Sequence, residues 1–258
     1  MSLEADLLHI EAALRLAGRI LVHWADNHTV ERKADGQPVT EADLEADRAL
    51  REFLPRTGEG WLSEETHDDR QRLKCSRVWV VDPLDGTKEF VHGVPEWAVS
   101  IGLVEAGEAI AGGIYNPLQN HLILGGIGAA LTLNGEPVQM SEAPRLRGAR
   151  VVASRSEIRR GEWDRYRGAG LQLVPMGSVA YKLGLVAAGQ ADLMWTHKPK
   201  NEWDVAAGVA LVRAGGGEAW LPDGTQPHFN RVDPRLPGLA VAPRQLAPAL
   251  RELLGWQR

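Results

Sequence analysis

The chain has 258 residues, 44% of them hydrophobic, and a formal net charge of −5, enough apolar content for one large domain or two close-packed smaller ones. Its 29 Lys and Arg are scattered and outnumbered by 34 Asp and Glu, which argues against a surface that tracks a nucleic-acid polymer. Cys75 is the single cysteine, excluding an internal disulfide, and no apolar run approaches the roughly 20 residues of a membrane span. The opening MSLEADLLHIEAAL carries acids where a secretory signal carries bases, so a cytoplasmic protein is expected.

Leu3, Leu7, Leu14, Ile20 and Leu21 recur at helical spacing, predicting an amphipathic helix over 3–24. A second is predicted over VTEADLEADRALREFL, with Thr40 as N-cap and Asp43 at the third helical position, a carboxylate variant of the capping box. GWLS and RVWVV, two short apolar runs that each end in acids, predict neighbouring buried strands. From 97 to 140, short β-rich runs punctuated by Gly, Asn and Pro predict an antiparallel meander. The polar stretch SEAPRLRGA, 141–149, marks a boundary between an N-terminal α+β part, 1–144, and a C-terminal α/β part, 145–258. Beyond it strands and helices alternate: RVVASR, a helix near 157–167, LQLVP, a helix in SVAYKLGLVAAG, ADLMW, a helix in WDVAAGVALVRAG, GEAWL, LAVAP and a closing helix. The expected class is α/β (α+β), a sheet covered by helices.

The candidate chemistry lies in acids at the ends of these elements: Glu64 and Glu65 in LSEET, Asp82 and Asp85 in VDPLDGT, Asp204 in EWDVAAG, and Asp43. Singly, each has a bland reading as a turn residue, helix cap or solvated loop. Jointly, Glu64, Asp82, Asp85 and Asp204 would repel by roughly 3 kcal/mol per pair at about 5 Å and an effective dielectric of about 20. A hard divalent cation relieves that repulsion, and oxygen ligands without His or Cys select Mg²⁺, Mn²⁺ or Ca²⁺ over zinc. Pro83 would restrict a turn that aims Asp82 and Asp85 to one side and leaves the Leu84 carbonyl as a further ligand. Gly86 would let a ligand approach the backbone closely, and Thr87 would cap a short helix beginning KEF, whose free amides suit a phosphate. The eight His show no metal-ligand spacing, the nine Trp read as packing, and Cys75 is assigned no chemistry.

DPLDGT together with WDVAAG resembles the two signature motifs of the inositol monophosphatase superfamily, and LSEE and KADGQPVTEAD extend the likeness in the expected order. The resemblance implies a layered α-β-α-β-α sandwich of the inositol monophosphatase and fructose-1,6-bisphosphatase type. It implies a cytoplasmic, lithium-sensitive phosphomonoesterase using two or three Mg²⁺ ions on a small phosphorylated substrate, as a monomer or homodimer. Carried over by motif, Glu64, Asp82, Asp85, Asp204 and the Leu84 carbonyl match metal ligands. Asp43 and Thr87 match the residues that orient the attacking water, with Glu64 beside them in the catalytic group. Gly86 and Thr87 match phosphate-binding amides, and Gly177, Ser178 and Lys182 lie where the alcohol or nucleoside is held. DPLDGTKEF with KADGQPVTEAD is most similar to the bacterial 3'(2'),5'-bisphosphate nucleotidases, which implies hydrolysis of adenosine 3',5'-bisphosphate. Against that, Lys182 follows Ser178 by four residues, the spacing of the inositol enzymes, and MWTHKPKNEWD offers His197, Lys198 and Lys200 in place of the nucleotidases' basic residue. Inositol-1-phosphate and other small sugar or nucleotide phosphates remain alternatives. So do an aspartyl-phosphate enzyme of the haloacid-dehalogenase type, whose acids stand two apart, and a non-catalytic module in which the acids hold Ca²⁺.

Overall fold

The computed structural model describes residues 2–25, 29–32 and 38–256; the Lys33–Gln37 part of the amino-terminal motif lies outside the described residues. Its helices are α1 (Leu3–Trp24), α2 (Glu41–Phe53), α3 (Thr87–Val91), α4 (Arg155–Arg159), α5 (Val179–Ala187), α6 (Glu202–Ala214) and α7 (Ala247–Leu254). A short antiparallel pair, β1 (Val30–Arg32) with β2 (Pro38–Thr40), precedes the main sheet. That sheet has seven strands in sequential order: β3 (Gly60–Ser63), β4 (Arg77–Asp85), β5 (Ala98–Glu105), β6 (Glu108–Asn116), β7 (His121–Gly126), β8 (Thr132–Leu133) and β9 (Glu136–Pro137). Only β3 and β4 pair in parallel; the rest form the expected meander.

The VWVV of β4, residues 78–81, is apolar throughout because both faces of the strand are covered there. Trp79 and Val81 pack with Ile10, Leu14 and Leu21 of α1 and Leu50 of α2, whereas Val78 and Val80 pack with Leu183 of α5 and Val205 and Val209 of α6. A second layer of strands follows: β10 (Arg150–Ser154), β11 (Gln172–Met176), β12 (Met194–Thr196), β14 (Glu218–Trp220) and β16 (Leu239–Ala242). A further short pair joins β13 (Lys200–Asn201) to β15 (Arg235–Leu236). One face of this second layer, through Val152, Met194 and Val241, closes on α5 and α6; the other, through Trp195 and Trp220, packs on Leu250 of α7. The result is five layers, α-β-α-β-α, with α5 and α6 shared between the two sheets. Among the described residues no helix is long and apolar enough to cross a membrane.

Small residues let α6 lie close to the main sheet. A Cβ on Gly112 of β6 would sit 2.5 Å from the Ala207 carbonyl oxygen, and one on Gly102 of β5 would sit 3.0 Å from the Ala207 nitrogen. On the far side of α6, a Cβ on Gly208 would meet Leu183 Cβ at 2.3 Å. The AAG of WDVAAG is therefore a packing device that brings the first turn of α6 against the end of β4. The helix expected near 157–167 divides into α4 and a 3₁₀ turn, Asp164–Ala169, because Gly161 between them adopts φ +74°.

Candidate active site

In DPLDGT the strand does not give way to a turn, as the sequence reading expected, but continues through a bulge. Asp82 pairs with Ser100 and Asp85 with Ala98, so three steps along β4 match two along β5. Side chains three apart on a regular strand point to opposite faces; one extra residue restores them to the same side. Val78 and Val80 already put the even positions toward α5 and α6, and the bulge adds Asp85 to that face. Pro83 suits the bulge because it has no N–H to place in the ladder. Gly86, at φ +101°, then reverses the chain into α3. Gly86, not Thr87, occupies the cap position of α3, and the Thr87 hydroxyl is committed elsewhere.

Glu64, Asp82 and Asp204 each offer a carboxylate oxygen, all within 4.8 Å of one another. Glu64 stands where β3 ends, a point fixed by Asp47, which accepts hydrogen bonds from Ser63 and Thr66. Asp204 is the third residue of α6 and accepts from the Asn201 amide at 2.9 Å, closing a capping box. Asp82 is 1% exposed; its Oδ1 accepts the Leu84 amide at 3.0 Å, and its Oδ2 is buried with no hydrogen-bond partner among the described residues. Asp85 lies beside this trio with Oδ2 turned to Ser178 Oγ at 2.6 Å and the Ala180 amide at 2.5 Å. An orphaned buried carboxylate oxygen beside two more carboxylates fits a hard cation such as Mg²⁺, and the all-oxygen set does not fit zinc.

The protonation of the acids reflects their crowding. Burial, then the charges of Glu64, Asp85 and Asp204, push Asp82 well above the carboxylate range. Burial, then Asp85, push Asp204 up to about 7, with Lys200 pulling the other way. An acid of raised pKa holds a proton in the folded state that the unfolded chain has released. Between the ordinary 3.8 and about 7, these groups therefore make the metal-free protein less stable as pH rises. Scanning calorimetry in chelator should give a Tm several degrees higher at pH 5 than at pH 7.5, and saturating Mg²⁺ should remove the difference. A Tm flat across this window would mean that the acids are not crowded.

Asp43, 1% exposed, accepts from Thr40 through both its amide, 2.7 Å, and its hydroxyl, 2.6 Å, with Oδ2. Its Oδ1 lies 3.2 Å from Thr87 Oγ1, which is also 3.2 Å from the Leu84 carbonyl. One hydroxyl proton serves two acceptors there, leaving the Thr87 lone pairs open. Burial raises the Asp43 pKa, against the bonds from Thr40 and Thr87.

Glu64, the Leu84 segment, Asp85, Thr87 and Asp204 line one cavity of about 710 Å³ that takes residues from both halves of the chain, with Asp82 and Asp43 buried behind them. Gly177, Ser178 and Lys182 form its wall at the start of α5, and Gly86 and Thr87 stand beside the acids. Ser178 is held at φ +43°, accepting the Tyr181 amide while it donates to Asp85. Lys182, 3% exposed, donates to the Gly177 carbonyl at 3.0 Å, and burial lowers its pKa to about 8. A Cβ on Gly177 would collide with the Glu89 carboxyl. The cavity also takes in Lys88, His92, Arg155, Arg159 and Lys200, of which only Lys200 lies in a motif singled out from the sequence. Arg155 bridges Glu89 and Glu96, whereas Lys88, Arg159 and Lys200 form no ion pair among the described residues. His197 and Lys198 point elsewhere: His197 hydrogen-bonds Tyr166 and Lys198 pairs with Glu162.

The model of the inositol monophosphatase family matches residues 4–255. The chain is 32% identical over 206 residues to an inositol-1-monophosphatase of Rhizobium meliloti (strain 1021), covering 76% of each. It is 34% identical over 216 residues to a fructose-1,6-bisphosphatase/inositol-1-monophosphatase of Thermotoga maritima, covering 79% of this chain and 80% of that protein. Among solved structures, extragenic suppressor protein suhB from Bartonella henselae superimposes with a TM-score of 0.84 at 27% identity, covering 97% of this chain and 98% of that one. CysQ from Bacteroides thetaiotaomicron, described as a bacterial member of the inositol monophosphatase family, gives 0.80 at 28%, covering 94% and 98%. The fold is that of the inositol monophosphatases, a class of metal-dependent phosphoric monoester hydrolases. The chain belongs to the inositol monophosphatase family. Membership in this family of phosphatases sets aside both the aspartyl-phosphate and the calcium-module readings.

Proposed function

We propose that the protein removes a phosphate from a small phosphomonoester carrying a second anionic group, best the 3'-phosphate of adenosine 3',5'-bisphosphate. The observation that carries this reading is the division of the cavity into an acidic floor of Glu64, Asp85 and Asp204, with Asp82 buried within 4.8 Å of Glu64 and Asp204, and a basic rim of Lys88, Arg159 and Lys200. At about 710 Å³ the cavity is in the range that encloses a nucleotide-sized ligand.

Glu64, Asp82, Asp85, Asp204 and the Leu84 carbonyl would hold the metal, which supplies Lewis-acid polarisation of the phosphoryl group and acidifies water. Thr87, its proton donated to Asp43 or the Leu84 carbonyl, presents its lone pairs to the attacking water and fixes the line of attack. The amides of Gly86 and Thr87 receive the phosphate oxygens. Gly177, Ser178 and Lys182 bind the leaving alcohol, and Ser178 at the same time keeps Asp85 aimed at the floor. Positioning and charge stabilisation carry most of phosphoryl transfer, so these fixed contacts are where the rate originates.

Inositol 1-phosphate is the second reading, favoured by the Ser178 to Lys182 spacing and by the names of the relatives at 32% identity. Phosphate release with Mg²⁺ at equal concentrations of adenosine 3',5'-bisphosphate, myo-inositol 1-phosphate, fructose 1,6-bisphosphate and NADP decides. A kcat/KM at least about tenfold higher for the adenosine substrate, about 1.4 kcal/mol in barrier, is expected. A tenfold preference for the inositol substrate would replace the first reading with the second.

A further inference from the structure

Three carboxylates within 4.8 Å repel one another, so the elements that carry them need a brace that acts before any cation arrives. Packing against Gly102 and Gly112 holds the middle of α6, but Asp204 sits in its first turn. That turn is tied down through its first residue, Glu202. Glu202 is fully buried; its Oε2 accepts the Asn230 amide at 2.8 Å and its Oε1 the Arg231 amide at 3.0 Å, while its own amide donates to the Pro234 carbonyl at 2.8 Å. The 230–234 loop is in turn held by one guanidinium. Arg72, whose side chain is 0% exposed, donates Nη1 to Asn230 Oδ1 at 2.8 Å and Nη2 to the Arg231 carbonyl at 2.9 Å. Its Nε and Nη2 also bind both oxygens of Asp68, four residues beyond Glu64, at 3.1 and 2.8 Å. Arg72 cannot drift, because the 3₁₀ turn that carries it, Gln71–Lys74, lies against β3 so closely that a Cβ on Gly60 would be 3.0 Å from its Cα.

We propose that Glu202 and Arg72 are positioning residues that set the spacing between the Glu64 and Asp204 carboxylates. Arg72 and Asp68 anchor the segment that leaves Glu64; Glu202 anchors the helix turn that presents Asp204; Asn230 and Arg231 join the two. A buried guanidinium paired with a carboxylate adds little stability over well-packed apolar residues, but it fixes orientation through directional N–H donors, here to Asp68, Asn230 and the Arg231 carbonyl. Neither residue lines the cavity, so both act only through the carboxylates they aim, as outer hydrogen-bond partners do in metal sites.

The inference rests on Glu64, Asp82 and Asp204 holding the metal, and calorimetric Mg²⁺ titration of the metal-free protein separates the two claims. Absence of Mg²⁺ binding by the unmodified protein would defeat the metal assignment itself. With that binding established, Glu202→Gln and Arg72→Lys should each weaken Mg²⁺ affinity by about tenfold or more. The Mg²⁺ concentration for half-maximal activity should rise in parallel, with kcat at saturating Mg²⁺ largely retained. Should either variant fail to fold, Asn230→Gly keeps the φ of +56° accessible and removes only the side-chain link to Arg72. It should weaken Mg²⁺ binding in the same direction by a smaller factor. Variants that lose Tm while Mg²⁺ affinity and Mg²⁺ dependence stay unchanged would overturn the proposal and leave the network a purely structural tie.

Discussion

Asp82→Asn should lower kcat/KM for every phosphomonoester by about 1,000-fold or more while raising the Tm of the metal-free protein by about 5 °C. Both effects have one cause. The Asp82 carboxylate is buried and repelled by Glu64, Asp85 and Asp204, and its Oδ2 finds no donor among the described residues. An amide of the same shape removes that repulsion and can donate toward the neighbouring acids, so the fold gains. The charge that assembles the metal site disappears, so the activity goes. This is the trade between stability and function expected where a site stores electrostatic strain. Melting curves in chelator and steady-state kinetics in Mg²⁺ measure both. A lower Tm without metal would mean that the native carboxylate is satisfied, and near-normal turnover would remove Asp82 from the site.

Gly112→Val is expected to be the most damaging substitution far from the cavity. The new Cβ would lie 2.5 Å from the Ala207 carbonyl oxygen and 2.8 Å from its Cα, so backbone rather than a flexible side chain must yield. Overpacking of this kind costs about 1–3 kcal/mol or more, which for a chain of this size lowers Tm by about 5–10 °C. Because α6 must back away from the sheet, Mg²⁺ affinity should fall as well. Gly168→Ala, where a Cβ meets nothing within 4 Å, serves as the control and should change neither. Equal behaviour of the two variants would show that α6 is not held where the glycines place it.

How much could be read from the sequence depended on whether the cause was local. Leu3 to Leu21 declared α1, Thr40 and Asp43 declared the start of α2, and two apolar runs ending in acids declared β3 and β4, because period and capping act over a few residues. The bulge at Pro83 was not legible. DPLD has the composition of a turn, and only pairing with β5 reveals that the strand continues through it. The short pairs β1–β2 and β13–β15 were missed because strands of two or three residues carry no periodicity. At the site, the acids that converge, Glu64, Asp82 and Asp204, were legible because each follows an apolar run or opens a helix. The rim was not: Lys88, Arg155 and Arg159 carry no motif or spacing of their own, and only the placement of α3 and α4 brings them to the same mouth. The Arg72 link to Asn230 joins residues 158 positions apart, and no spacing rule reaches that far.

The central claim is that Glu64, Asp82 and Asp204 share a site made for a cation by mutual repulsion. Titration calorimetry of Mg²⁺ into the metal-free protein at pH 7, repeated in buffers of different ionisation enthalpy, addresses it directly. Saturable binding with release of protons to the buffer is predicted, since the cation displaces the proton that Asp204, raised to about 7, holds in part, and both signals should vanish in Asp82→Asn. Identical binding by the two proteins, or none by either, would contradict it.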